Sequence, residues 1–245
     1  MPLEANGSNQ YLAKSEFPAN LGLSNAWTLS FWVKPRPSSE AATLFAVGGL
    51  REENAIVIRL DPLPQLPFRK TDNKSPTNLV TMIKGPNGTI VREIKWENFT
   101  TADSWIHGAL TWDGNILQVY ASGIATNSGV VLQSGGGITM TDSPQRKIFY
   151  GSSVLGNQPT FSGFLGHLAM WNSILTQDEI SLIADNGFFM DLTANSGTYT
   201  SSVDLVMYYR PGDNPNNLGQ DFSGVGLDLN NIRNITIDDI VNDLP

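Results

Sequence analysis

Apolar and polar residues alternate with a period of two in short runs from one end of the chain to the other, and turn residues close nearly every run. In residues 28–34, Leu29, Phe31 and Val33 fall on one face, while Ser30, Trp32 and Lys34 fall on the other. That spacing suits a half-buried strand, because a helix repeats its apolar positions every three or four residues. The same pattern predicts strands at 55–60, 79–84, 89–96, 105–112, 116–121, 147–150, 163–171 and 203–209. Asp113-Gly114 between two alternating runs is a strong hairpin signal, and 85–88 (Gly-Pro-Asn-Gly) joins another pair.

One segment reads as helix. Thr176 and Glu179 have capping-box spacing, Leu175 and Ile180 are placed as a hydrophobic staple, and Asn186-Gly187 supplies a stop. A short helix near 177–185 among nine or more strands predicts an all-β chain, either a sandwich or a barrel. No 20–50-residue period repeats, which argues against a propeller or solenoid. Residues 61–78 hold four prolines and are predicted to form a long surface loop.

Several function classes are excluded. With no cysteine, disulfides, thiolate metal sites and a Cys nucleophile are ruled out. Residues 151–245 carry 2 Lys/Arg against 11 Asp/Glu, so a phosphate backbone is repelled and nucleic acid is not an expected partner. No apolar run approaches membrane-helix length. The opening ten residues show no basic and apolar signal-peptide pattern.

Four segments in order, NGSNQYL with TLSFWVKP, SWIHGALTWDGNILQVYASG, FSGFLGHLAMWNSILTQDEI, and DLVMYYRPGDNPNNLGQDFSGVGLDL, resemble the laminin G-like (pentraxin-like) branch of the concanavalin A-like lectin/glucanase superfamily. The resemblance spans residues 3–229 and is most specific in the third segment. It implies a two-sheet antiparallel jelly-roll sandwich over 1–229 that binds glycans or a protein receptor on loops or a concave face, often with calcium. Asn6 and Asn9, and the Tyr120-Ala121-Ser122-Gly123 turn, replace carboxylates frequent in the family, which weakens a carried-over metal site. The expected location is extracellular-facing or a virion surface, with a purely structural jelly-roll component as the alternative.

Candidate sites are sparse. Glu93 and Glu97 would lie about 13 Å apart on one strand face, beyond the spacing of retaining or inverting glycosidases. His107 and His167 lie in apolar runs without a nucleophile elbow, so both are expected to be packed or rim residues. The chain is therefore expected not to be an enzyme. Trp96 ends a strand among charges and precedes Asn98; this pair is the carbohydrate-binding candidate. Trp27, Trp32, Trp105, Trp112 and Trp171 are expected in the core. Asp213 and Asp221 flank an Asn-rich loop whose oxygens suit calcium, although Asp and Asn are also ordinary turn residues. Residues 230–245 form an acidic but apolar tail. Ile235, Ile237 and Ile240 must be buried there, either against their own domain or in a homo-oligomer or larger assembly, since open sheet edges invite strand addition.

Overall fold

The computed structural model describes residues 1–14, 26–38, 40–49, 54–62, 76–85, 87–114, 116–125, 130–131, 147–153 and 160–244. The described strands are β1 Leu3–Asn6, β2 Tyr11–Lys14, β3 Trp27–Pro35, β4 Ala42–Gly48, β5 Ala55–Pro62, β6 Pro76–Lys84, β7 Ile90–Thr101 and β8 Ile106–Trp112. They continue with β9 Ile116–Ala121, β10 Ile124–Ala125, β11 Val130–Val131, β12 Lys147–Tyr150, β13 Ser162–Trp171, β14 Leu205–Tyr209 and β15 Asn231–Arg233; the helix is α1 Gln177–Asn186. One antiparallel sheet runs β1-β13-β3-β8-β9-β10, with β11 on β9 and β14 on β13. The other runs β15-β2-β12-β4-β5-β6-β7. This is the expected jelly-roll sandwich.

The period of two decides which side chains meet. Leu29, Phe31 and Val33 of β3 enter the core between the sheets and pack with residues such as Phe45, Ile58 and Tyr150 from the second sheet. On β8, Gly108 pairs with Phe31, and a Cβ there would fall 2.4 Å from the Phe31 ring, so glycine makes room for that ring. The opposite face of β3 is no solvent face. Gln177–Asn186 and the chain after it cover it, burying Trp171, Ile180, Ile183, Leu192, Tyr199 and Tyr208 in a second apolar cluster.

The helix forms as its sequence predicts. Thr176 Oγ1 accepts from the Glu179 amide at 3.3 Å, the Glu179 carboxylate accepts from the Thr176 amide at 2.9 Å, and Gly187 ends the helix at φ 55°. Leu175 and Ile180 are both buried in the second cluster.

Several boundaries differ from expectation; β7, expected to end at Trp96, runs on to Thr101. Strand β4 is absent from the sequence expectation because Leu44, Phe45, Ala46 and Val47 form an unbroken apolar run, so its sequence shows no alternation. The predicted loop at 61–78 is shorter: Asp61 and Pro62 pair with Asn78 and Thr77, prolines being tolerated at strand ends. The rest of that segment, 63–75, lies outside the described residues, as do Pro86 and Asn115 of the two hairpin turns. Strand β14 starts at Leu205, after a 3-10 turn over Ser202–Asp204.

The closing segment packs on its own chain. Asn231–Arg233 pairs with β2, Ile235 is 7% exposed within the main core, and Ile240 packs against that core and bridges Leu3. Ile237 departs from the expected burial: it is 57% exposed, because it opens a 3-10 turn over Ile237–Asp239 and does not continue the strand pairing.

Candidate functional site

The ends of β3 and β5 and the starts of β4, β6 and β13 converge at one rim of the sandwich. Between them lies a cleft of about 290 Å³, counting the open space at its mouth. Ala42, Leu60, Pro62 and Phe161 give it an apolar floor; Arg36, Ser38, Glu40, Thr77 and Ser162 supply polar groups. The backbone fixes this geometry. The Arg36 amide donates to the Ser162 carbonyl at 3.0 Å, tying the two sheet-one strands, and the Asp103 amide donates to the Pro35 carbonyl at 2.7 Å. Ser38 and Glu40 close a local turn, the Glu40 amide donating to Ser38 Oγ at 3.1 Å. The Arg36 guanidinium pairs with Glu4 and lies 5.4 Å from the Phe164 ring centre, leaving its side chain 40% exposed. An apolar floor with a few convergent donors and acceptors is the ordinary design of a small-molecule site.

Trp96 belongs to the same row as this floor. Ala42 pairs with Leu60, Leu60 with Leu79, and Leu79 with Trp96. Trp96 is half-buried against the core, with its ring edge-on to Phe99 at 5.5 Å. Asn98 is exposed at φ 55°, and its amide donates to Asn78 Oδ1 at 3.0 Å. The Ala42–Leu60–Leu79–Trp96 row thus joins a predicted residue to a cleft that the sequence reading missed. Arg36, Ser38, Leu60, Thr77 and Ser162 lie far apart in sequence, and only the strand register unites them.

The loop aspartates are not brought to a common partner. Asp213 pairs with Arg210 at 2.5 Å and with the N-terminal ammonium. Asp221 is buried. Its carboxylate accepts from the amides of Tyr208, Ser223 and Leu227 at 3.0, 3.0 and 2.9 Å, and from Ser223 Oγ at 2.8 Å. Both carboxylate oxygens therefore face donors rather than an open cation position.

Both histidines are packed, as expected. Burial pushes His107 and His167 down to about 3, so both are neutral. His107 Nε2 lies 2.8 Å from Ser30 Oγ, but the pair is sealed inside the layer under α1, and His107 Nδ1 has no partner to orient it. A nucleophile without access to substrate performs no acyl transfer. The His167 position follows from a bulge: Leu165 pairs with Val33 and Leu168 with Phe31, so Gly166 and His167 together oppose Trp32. His167 then meets Phe188 edge-on at 4.4 Å. Of the tryptophans, Trp27 and Trp112 lie in the main core and Trp171 in the second cluster, while Trp32 packs against Phe188. Trp105 departs from the core expectation: it is half-buried, and its indole N–H donates to Asp243.

Comparison with known proteins agrees with this architecture. Residues 6–181 match the Laminin_G_3 family of the concanavalin A-like lectin/glucanases superfamily, and the chain belongs to that family. No curated protein sequence matches the chain. Among solved structures, a native heptameric SAP-like pentraxin from Limulus polyphemus is similar with TM-score 0.52 and 17% identity, over 83% of this chain and 87% of that one. The CBM40 of a Ruminococcus gnavus IT-sialidase, bound to α2,3 sialyllactose, gives TM-score 0.52 and 10% identity over 75% and 96% of the two chains. The enzymatically active domain of tailspike protein 2 from bacteriophage CBA120 gives TM-score 0.54 and 10% identity, over 86% of this chain but 32% of that one. At these identities the likeness is one of fold, and fold does not fix function.

Proposed function

We propose that this chain is a non-catalytic binding module that recognises glycans at the rim cleft and is displayed on an extracellular-facing or virion surface. The observation that carries the reading is the cleft itself: Leu60, Pro62 and Phe161 offer an apolar floor to a sugar ring, with Arg36, Ser38, Glu40, Thr77 and Ser162 around it for its hydroxyls. The half-buried Trp96 and exposed Asn98 extend the same rim toward the β7 edge. The carbohydrate-binding module of the sialidase and the phage tailspike domain, similar in fold, make a glycan ligand and a virion setting reasonable for this chain. A protein receptor is the second ligand class.

Catalysis is not part of the proposal. Glu4 is already paired with Arg36, which leaves Glu40 as the free carboxylate among the described residues lining the cleft, and glycoside hydrolysis ordinarily needs two carboxyl groups. Assembly into a homo-oligomer, if built on the closing segment, has Ile237 as its exposed contact, with Ile235 and Ile240 anchoring the segment to its own domain.

A glycan array with and without calcium tests the reading, using the wild-type chain and Ser38→Trp, which fills the cleft mouth from an exposed turn. Saturable binding lost in Ser38→Trp supports the cleft. Binding unchanged by that variant, or oligosaccharide released from a bound glycan, overturns it.

A further inference from the structure

Beyond the cleft, the outer face of the first sheet carries a second polar and aromatic arrangement. Lys34 Nζ donates to Asp243 Oδ2 at 2.6 Å, and Trp105 Nε1 donates to Asp243 Oδ1 at 3.3 Å. One carboxylate thus receives a charged donor on one oxygen and a neutral donor on the other. Aromatic rings surround the donors. Trp105 meets Phe188 edge-on at 5.4 Å and Phe164 at 6.2 Å, and Lys34 Nζ lies 5.1 Å from the Phe164 ring centre. Cation and rings preorganise each other here: Phe164 is the direct cross-strand partner of Lys34.

The carboxylate in this cradle comes from the chain's own closing segment, and it is loosely tied. The Val241 amide bond to the Pro2 carbonyl at 3.2 Å is the last backbone hydrogen bond of that segment among the described residues. Asp243 lies beyond it, with its side chain 35% exposed. Neither the β15 pairing nor the Ile235 anchor includes it.

We propose that Lys34 and Trp105 form a binding site for a carboxylate-bearing sugar, with Asp243 as a strap that occupies it in the free protein. The acid group of the sugar takes the place of the Asp243 carboxylate, and the half-buried Trp105 offers its ring to the sugar's C–H face. The site shares the Phe164 ring with Arg36 of the rim cleft but uses different donors, Lys34 and Trp105, and does not depend on that reading. A tethered carboxylate competes at an effective concentration on the order of millimolar or more, so the wild-type protein binds such ligands weakly.

The test follows the Trp105 indole N–H resonance by NMR, assigned with Trp105→Phe, in wild type, Asp243→Ala and Asp243→Asn. The probes are N-acetylneuraminic acid, glucuronic acid and acetate, with glucose as the neutral control. Releasing the strap should tighten binding of at least one acidic sugar about tenfold or more over wild type, with glucose silent and acetate weaker. Adding Lys34→Met to Asp243→Ala should abolish the response. The site is refuted if folded Asp243→Ala and Asp243→Asn show no saturable shift with either acid. Equal affinity in wild type and both variants removes the strap, and acetate binding as tightly as the sugars removes the sugar assignment. Asp243→Asn keeps the test decisive if Asp243→Ala fails to fold.

Discussion

Glu179, in the first turn of α1, accepts a 2.7 Å hydrogen bond from the hydroxyl of Ser201, so a helix-capping residue also holds a loop twenty-two residues away in sequence. The same carboxylate takes the Thr200 amide at 3.0 Å and the Thr176 amide at 2.9 Å. Burial acts to raise its pKa, but the bonds from Ser201, Thr200 and Thr176 outweigh it and hold the group below the ordinary glutamate value.

A substitution at Glu179 is therefore expected to cost more than one at the cap itself. Thr176→Ala should destabilise by about 0.5–2 kcal/mol. Glu179→Ala, which also leaves the Thr200 amide without its acceptor, should exceed it by roughly 1–3 kcal/mol. Because the folded pKa is depressed, the stabilisation from Glu179 is present above the unfolded glutamate range and is lost as pH falls through the lowered folded value. Urea midpoints of both variants at pH 7 and pH 3 check this: the Glu179→Ala deficit should shrink at pH 3. Equal midpoints for the two variants would show that the loop tie contributes nothing.

Histidine burial sets a second pH window. His107 and His167 titrate near 3 in the folded chain, against about 6.5 when unfolded. The unfolded state therefore binds more protons between those values, and stability falls as pH drops from about 6.5 toward 3. Each residue contributes a slope of up to about 1.4 kcal/mol per pH unit. His167→Gln, measured by urea unfolding from pH 7 to pH 5, should show a shallower decline than wild type. A parallel decline would mean that His167 is not held neutral by the fold.

How far the sequence could be read depends on the kind of signal each element leaves. Alternation and turn chemistry announced β3, β5, β8, β9, β13 and the capped helix, because one strand face or one cap residue suffices to write each pattern. Strand β4 left no such trace, since Leu44, Phe45, Ala46 and Val47 are consecutive apolar residues and write no alternation. The cleft was hidden for a different reason. Leu60 and Trp96 share a row only through the pairings of β5 with β6 and β6 with β7, and register is a property of the assembled sheet. Asp243 near Lys34 was equally invisible, as 209 residues separate them.

Asp221 organises the loop that follows β14. Its carboxylate accepts four hydrogen bonds, three of them from backbone amides. Asp221→Ala strands those amides and is expected to destabilise by roughly 3 kcal/mol or more. Asp221→Asn should be intermediate, because its amide nitrogen would face donors at Ser223 and Leu227. Calcium should leave the wild-type melting temperature unchanged at this loop, since a cation would have to displace those donors. A calcium-dependent rise in melting temperature that Asp221→Ala removes would instead assign the ion to this carboxylate.

The closing segment allows a sharper separation of folding from assembly. Ile235 is 7% exposed in the main core, whereas Ile237 is 57% exposed two residues on. Ile235→Ala should cost about 2–5 kcal/mol, the usual range for emptying a core isoleucine site. Ile237→Ala should stay within about 0.5 kcal/mol, as surface changes do. Deleting residues 231–245 removes both the β15 pairing with β2 and the Ile235 anchor, so the truncated chain is expected to unfold at markedly lower urea. Sedimentation run on the same variants reads assembly independently. If Ile237→Asp keeps its urea midpoint but dissociates an oligomer, the exposed side of this segment is an assembly contact on a correctly folded domain. If the truncated chain keeps the wild-type midpoint and only its mass falls, the segment serves assembly alone and its packing against β2 contributes nothing to the fold.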